Sequence, residues 1–358
     1  MLRNGIVFQC HYKTTQEASD MRLEMPLRTH FMRQRLLGKT GLTVSEIGFG
    51  GWAIGGRRWG GKRDEDSQQA LRCAVDRGVN LFDTALTYGD DGDSEKLIGK
   101  LLREHRANSN ATPLYVATKV PPKLHNYPAP PDAPLNDYYP RDWIVRCAEQ
   151  SLKNLNIEQI DLLQLHVWAD AWTDGDEWNQ AMEDLRQAGK IRFVGVSLNP
   201  QDPNSALRLV RSGRVDVVQV VYNIFDQSPE DLLFPACLEH QVGVIARVPL
   251  NEGSLTGKMR FDTKFPESDF RSSFFAGDLL RQTVEHVEEM RPILEVSAAS
   301  MARGALRYCL SHPAVSTVIV GMRSQEQVHE NTSASDDGPL MPETIDALRR
   351  FRWVRPPY

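Results

Sequence analysis

Four titratable residues stand where apolar runs of the chain end. Asp83 closes VNLFD, Lys119 closes LYVATK, His166 closes IDLLQLH, and Tyr88 follows Asp83 by five residues in DTALTYG. If those runs are parallel strands of one barrel, the four side chains converge on one mouth and form an acid–base site. The roles such a set can take fit together. A carbonyl that accepts hydride gathers negative charge on its oxygen and needs a proton. Tyrosine, with a reference pKa near ~10, is a poor acid at neutral pH unless a neighbouring cation favours its phenolate. Lys119 can supply that cation, Asp83 can hold Lys119 by an ion pair, and His166 can orient the substrate oxygen. Each residue also has an ordinary reading: a turn cap for Asp83, a packed aromatic for Tyr88, a solvated charge for Lys119 and a core histidine for His166. Their placement together at consecutive strand ends argues for chemistry.

The elements that would position them recur from residue 33 onward. Eight β-rich runs are read as strands: 46–50, 79–83, 114–119, 160–166, 191–197, 215–221, 243–247 and 316–321. Most are short and continuously apolar, as strands buried on both faces should be. Amphipathic segments separate them: DSQQALRCAVDRG, SEKLIGKLLRE, WIVRCAEQSLKNL, EWNQAMEDLRQAG, NSALRLVRSG, PEDLLFPACLEH and MARGALRYCLSH, with SQEQVHEN after the last strand. Gly78, Gly189 and Gly213 end three of them in the manner of helix C-caps. This alternation predicts an α/β protein, a (β/α)₈ barrel. LLGKTGLTV (36–44) predicts an N-terminal β-hairpin ahead of the first strand. Long loops follow the third strand (120–142, rich in proline) and the seventh (248–279). Both leave the C-terminal ends of strands, where barrel enzymes keep their sites.

Composition sets the outer bounds. The chain has 358 residues, is 25% charged and carries a formal net charge of −5. It has no basic stripe of the kind that neutralises nucleic-acid phosphates. The five cysteines are scattered, never as C-x-x-C, and read as free thiols in a reducing compartment. No segment offers the ~20 apolar residues of a membrane span, so a cytosolic protein without membrane or nucleic-acid partners is expected. His105, His125 and His166 lack metal-ligand spacing. Residues 1–32 lack periodicity and read either as a disordered extension to a single 33–358 domain or as a stretch ahead of the true start, with Met32 as the natural initiator. Trp168, Trp172 and Trp178 follow the fourth strand. With Trp52 and Tyr138 they are expected to wall the mouth, unless they pack the loop.

The ordered set GKTGLTVSEIGFGGW, NLFDTALTYGDDGDSEKLIGKLL, VATKV, IDLLQLH, GKIRFVGVS and VVQVVYNIFD resembles the aldo-keto reductases, over about residues 34–332. The resemblance implies a tetrad of Asp83, Tyr88, Lys119 and His166. It also implies a nicotinamide cofactor held in extended form across the barrel mouth without a Rossmann domain. Gly51 and Trp52 would lie near the nicotinamide, and Ser197 and Gln219 would bond its carboxamide. The family pattern GVSN stands here as GVSLN, so Asn199 would reach the carboxamide only through a remodelled loop. Arg247 replaces the aromatic that stacks on the nicotinamide in many members; a planar guanidinium can stack too. LNEGSLTGK resembles the pyrophosphate strap, through Leu250, Gly253, Leu255, Gly257 and Lys258. Gly321, Arg323 and Ser324 lead into the last barrel helix, whose N-terminus favours an anion. There the adenosine 2′-phosphate would sit, with Gln327, Glu330 and Asn331 on the adenine and ribose side. Arg323 favours NADP(H) over NAD(H).

The implied activity is reduction of an aldehyde or ketone, or the reverse on a sugar or alcohol, by hydride transfer with Tyr88 as proton donor. Two alternatives remain: a cofactor-binding, redox-sensing regulatory subunit of the same fold, and a barrel aldolase or isomerase using Lys119 as a Schiff base. The substrate is a small molecule whose identity the sequence leaves open, as it does the oligomeric state.

Overall fold

The computed structural model describes residues 32–56, 64–107 and 112–353. The chain divides into two units, Met1–His30 and Phe31–Tyr358, and every described residue belongs to the second. The expected disordered extension therefore lies outside the described residues, except for Met32, which is buried and packs against Gly78.

Strands β1 (Gln34–Leu36) and β2 (Thr43–Ser45) pair antiparallel as the expected hairpin. The next eight strands are β3 (Ile47–Gly50), β4 (Leu81–Asp83), β5 (Tyr115–Val120), β6 (Ile160–Leu165), β7 (Ile191–Ser197), β8 (Val217–Val221), β9 (Gly243–Arg247) and β10 (Val315–Gly321). They pair in parallel, in sequence order, and β10 closes on β3 to complete the barrel. The helices are α1 (Asp64–Asp76), α2 (Asp93–Arg106), α3 (Leu135–Tyr138), α4 (Arg141–Leu155), α5 (Asp176–Gln187), α6 (Leu207–Ser212), α7 (Leu233–Glu239), α8 (Arg271–Phe274), α9 (Leu279–Ser297), α10 (Met301–Ser311), α11 (Gln325–Asp337) and α12 (Pro342–Arg349).

Side-chain parity explains how this barrel makes both a floor and a site. Successive strand residues face opposite sides. Leu81, Ala117, Leu162, Val217, Ile245 and Ile319 form one buried cluster with Leu37, Leu42 and Val44 of the hairpin. The hairpin thus plugs the N-terminal end of the barrel. The alternate residues Phe82, Val116, Leu163, Val218, Ala246 and Val320 join the outer core under the helices. Two residues beyond the inner cluster, the same inward parity gives Asp83, Lys119, Gln164, Gln219, Arg247 and Gly321. One further step on β6 reaches His166. The polar residues that interrupt the apolar runs therefore share the inner face, at the open end.

Besides the four-residue α3 and α8, two longer helices stand outside the eightfold repeat, and no sequence expectation covers them. In α9, Val284, Val287, Met290 and Leu294 are buried at helical spacing, and Pro292 lies inside the helix. Proline removes one backbone donor and clashes with the preceding turn, which disguises the pattern, and burial of the apolar stripe outweighs it. The other, α12, runs against α9, with a hydroxyl contact of 3.1 Å between Ser297 and Thr344. Cys73, Cys147, Cys237 and Cys309 are buried free thiols. Among the described residues no helix is long and apolar enough to cross a membrane.

Candidate functional site

Lys119 lies almost wholly out of solvent, 1% exposed, at the end of β5. Its Nζ donates to Asp83 Oδ1 at 2.6 Å, to the Thr84 carbonyl at 2.7 Å and to Tyr88 Oη at 3.4 Å. An ammonium has three donors and accepts nothing, so this set uses it fully. The other oxygen of Asp83, Oδ2, accepts from Gln219 Nε2 at 2.7 Å and from Gln164 Nε2 at 3.4 Å. A buried ion pair is held in place only when its remaining lone pairs are also satisfied, and these two amides do that. Because Lys119 cannot accept a proton from Tyr88 while donating to it, the phenol O–H is left to point into the cleft.

Burial pushes the Tyr88 hydroxyl above the ordinary tyrosine value, Lys119 opposes that push, and Asp83 adds slightly to it. Tyr88 therefore stays protonated through the neutral range. The His166 ring stands edge-on to Tyr88, with centroids 5.7 Å apart. Burial first, and then the positive charges of Lys119 and Arg247, hold His166 well below the ordinary histidine value, which makes it a neutral imidazole. Its Nδ1 is buried without a hydrogen-bond partner.

These groups sit at the base of a cleft of about 1640 Å³ that runs across the barrel mouth. That exceeds the roughly 300–1,000 Å³ of pockets for drug-sized ligands and suits an extended, multi-ring molecule. Asp83, Tyr88 and His166 line it, and Lys119 lies behind them. The cleft wall also includes Trp52, Ser197, Asn199, Gln219, Arg247, Leu250, Gly253, Lys258, Gly321, Arg323, Ser324, Gln327, Glu330 and Asn331.

Three anticipated cofactor residues face elsewhere. A Cβ on Gly51 would meet Ser94 Oγ at 2.6 Å and the Asp83 carbonyl at 2.7 Å, so this glycine lets β3 approach β4 and α2. Leu255 is wholly buried, and Gly257 backs onto Met301 and Arg291. These two residues fasten the strap to α9 and α10. Asn199 lines the cleft, but its amide bonds to the backbone of Ala129 and Trp168.

The expected tryptophan wall is a packing cluster instead. Trp168, Trp172 and Trp178 are buried, Trp168 meets the other two edge-to-face, and the three donate to the carbonyls of Ser205, Ala133 and Trp172 respectively. Tyr138 is buried against Trp172. The aromatic walls of the cleft include Trp52, Tyr127, Phe265, Phe270 and Phe274. Trp52 packs on Phe270 with centroids 4.7 Å apart, and Tyr127 meets His166 at 5.3 Å.

Sequence reasoning passed over Tyr127, Phe270, Gln164 and Arg271. Gln164 carried a usable signal, since it is the one polar residue at inward parity inside LLQL. Arg271 lines the cleft and pairs with Asp269 at 2.6 Å. Burial and the charge of Arg271 hold Arg323 below the usual arginine range, so an anion arriving there would relieve a repulsion. Arg247 donates Nη2 to the Leu198 carbonyl at 2.9 Å, while its Nε is buried without a partner. Ser324 caps α11 by accepting from the Gln327 amide, and Gln327 Oε1 accepts from the Arg323 amide at 2.7 Å. Glu330 is bonded by Ser300 and Arg303. The donors along the walls, the unpartnered buried nitrogens at the base and the length of the cleft together fit an anionic dinucleotide.

The aldo/keto reductase family model matches residues 46–352. A Bacillus subtilis aldo-keto reductase, YhdN, is 30% identical, with 83% of this chain and 87% of the relative covered. A probable voltage-gated potassium channel subunit beta from Arabidopsis thaliana is 29% identical, over 91% of this chain and 98% of the relative. The structure of the glycerol dehydrogenase AKR11B4 from Gluconobacter oxydans superposes with a TM-score of 0.73 at 28% identity, covering 91% of this chain and 98% of that one.

Proposed function

This chain belongs to the aldo/keto reductase family, and we propose that it interconverts a carbonyl and an alcohol, with Tyr88 as the proton donor in reduction and NADP(H) preferred over NAD(H). A nicotinamide cofactor supplies hydride to the carbonyl carbon when bound. Tyr88 gives its proton to the carbonyl oxygen, and the phenolate left behind is stabilised by the Lys119 ammonium beside it. Asp83 fixes Lys119 in that position. A neutral His166 orients the substrate oxygen as a hydrogen-bond partner, because burial and two cations keep the ring from taking a second proton. Ser197, Gln219 and Arg247 would hold the nicotinamide end. Leu250, Gly253 and Lys258 would hold the pyrophosphate. Arg323 and Ser324 would hold the 2′-phosphate, with Gln327, Glu330 and Asn331 beside the adenosine.

The observation that carries this reading is the buried Asp83–Lys119 pair pressed against a tyrosine whose hydroxyl opens on the cleft. Titration of the intrinsic tryptophan fluorescence with NADPH and with NADH tests the cofactor assignment, and a panel of carbonyls tests the reaction. Saturable quenching, tighter for NADPH, followed by NADPH-dependent turnover, is expected. No response to either nucleotide would overturn the reading. Tighter binding of NADH would overturn the role given to Arg323. The likeness to the plant channel subunit supports a second reading, a regulatory subunit of the same fold, for which nucleotide would bind without appreciable turnover.

A further inference from the structure

The amide of Asn199 is committed on both sides. Its Oδ1 accepts from the Ala129 backbone N–H at 3.3 Å, and its Nδ2 donates to the Ala129 carbonyl at 3.0 Å and the Trp168 carbonyl at 3.1 Å. An asparagine amide has two N–H donors, and both are used. Asn199 and Ala129 are 6% and 3% exposed, so these bonds form away from water, where a lost partner is costly. One side chain thus ties together the segments leaving β5, β6 and β7.

The neighbours of the tied points matter. Tyr127 stands two residues before Ala129, and His166 stands two residues before Trp168. These are the two rings that meet edge-to-face at 5.3 Å, with planes at 78°, on the cleft wall. The backbone before Asn199 is equally fixed. Leu198 donates its N–H to the Gln219 carbonyl at 2.9 Å, gives its carbonyl to Arg247, and buries its side chain in the core. The inserted leucine therefore moves the asparagine one step outward, from the reach of a cofactor to the reach of the loop after β5.

We propose that Asn199 is a positioning residue for the carbonyl substrate: a clasp that holds Tyr127 against His166 and so sets the substrate wall beside the proton donor. This rests on the carbonyl-reductase reading for its kinetic consequence, but the clasp itself can be tested without turnover. The experiment uses the full chain, NADPH and 4-nitrobenzaldehyde, with Asn199→Ala, Asn199→Asp, Tyr127→Ala and the Asn199→Ala/Tyr127→Ala pair. Asn199→Asp keeps the acceptor for Ala129 and loses both donations, and Tyr127, 43% exposed, can be truncated without opening the core.

Asn199→Ala and Tyr127→Ala are each expected to raise KM about tenfold, roughly the effect of a single lost contact of ~1.4 kcal/mol. They should leave kcat and the Kd for NADPH within about twofold. The double variant should be no worse than Tyr127→Ala alone, because contacts acting as one unit are not additive. In hydrogen exchange the Ala129 amide should lose protection in Asn199→Ala and keep part of it in Asn199→Asp. Multiplying KM effects in the double variant, or weaker NADPH binding in Asn199→Ala with Ala129 still protected, would overturn the clasp. If the wild-type chain reduces no carbonyl, the functional reading fails, and the exchange of Ala129 still decides whether the clasp exists.

Discussion

Two of the tyrosine sites among the described residues have opposite electrostatics. At the barrel mouth Tyr88 meets a cation: Lys119 donates to its oxygen, and the phenol proton is left for the cleft. On the outer side of the barrel, Tyr222 and Tyr308 meet an anion. Both donate to Glu230 Oε1, at 2.6 and 2.9 Å, and Arg349 lies 3.5 Å from the same carboxylate. Burial raises all three hydroxyls above their ordinary value. Lys119 works against that rise at Tyr88, whereas Glu230 adds to it at Tyr222 and Tyr308. A tyrosine whose proton is already given to a carboxylate has none to offer a ligand. The residue type is shared, and the sign of the neighbouring charge decides whether it can deliver a proton or can only hold helices together.

The largest expected contrast is in turnover. Tyr88→Phe should lower kcat by roughly 10²–10⁴-fold, the range for removing a positioned acid, with nucleotide affinity near wild type. Tyr222→Phe should leave kcat alone. Steady-state rates of the two variants side by side would break the comparison if Tyr88→Phe were fully active.

Next in size is a stability effect in the opposite place. Tyr222→Phe removes a hydrogen bond to a charged acceptor, worth ~1.5–3 kcal/mol. Chemical denaturation should show that loss, while a change of under ~0.5 kcal/mol would mean that Glu230 is satisfied without Tyr222.

The smallest effect concerns the histidine beside each cluster. His166 is held well below the ordinary histidine value of 6.5 by burial and by two cations. His312 is lowered less far, because Glu230 partly offsets its burial. Below pH 6.5 the unfolded chain protonates these rings and the native state resists. Unfolding then takes up protons, so stability is present above 6.5 and is lost as pH falls. Melting temperatures at pH 7.5 and 5.5 should show that His166→Gln removes more of the acid sensitivity than His312→Gln. Equal relief from both would erase the electrostatic distinction.

Much of this was legible in the chain itself because parity is. β7 and β9 have the expected bounds, and Asp83, Lys119 and His166 share the inward face because side chains alternate along a strand and each lies an even number of residues beyond Leu81, Ala117 or Leu162 of the inner cluster. What parity cannot give is the direction of a loop side chain once the strand has ended. Trp168, Trp172 and Trp178 follow a strand end as a binding wall would, yet their ring N–H groups found carbonyls of their own segment and its neighbours. Tyr127, in a proline-rich stretch without period, reached the cleft that those rings did not. Asn199 illustrates the same limit, since the resemblance would turn its amide to the cofactor and the structure bonds it to Ala129 and Trp168. Gly51, Leu255 and Gly257 resemble cleft residues by motif, and they serve the walls from behind.

The hairpin under the barrel has a consequence for timing. With Leu37, Leu42 and Val44 sealing the floor, the site is a blind well, and behind Tyr88 lie Lys119, the Thr84 carbonyl, Asp83 and the two amides that hold it. Under the proposed reaction, bulk solvent does not reach the phenolate from below, and a proton lent by Lys119 would itself have to be restored. The donor must be recharged through the same opening by which the alcohol leaves, so we expect product departure to precede the next proton delivery. A solvent deuterium effect on the approach to the first turnover, with none on the steps after release, would argue against that order.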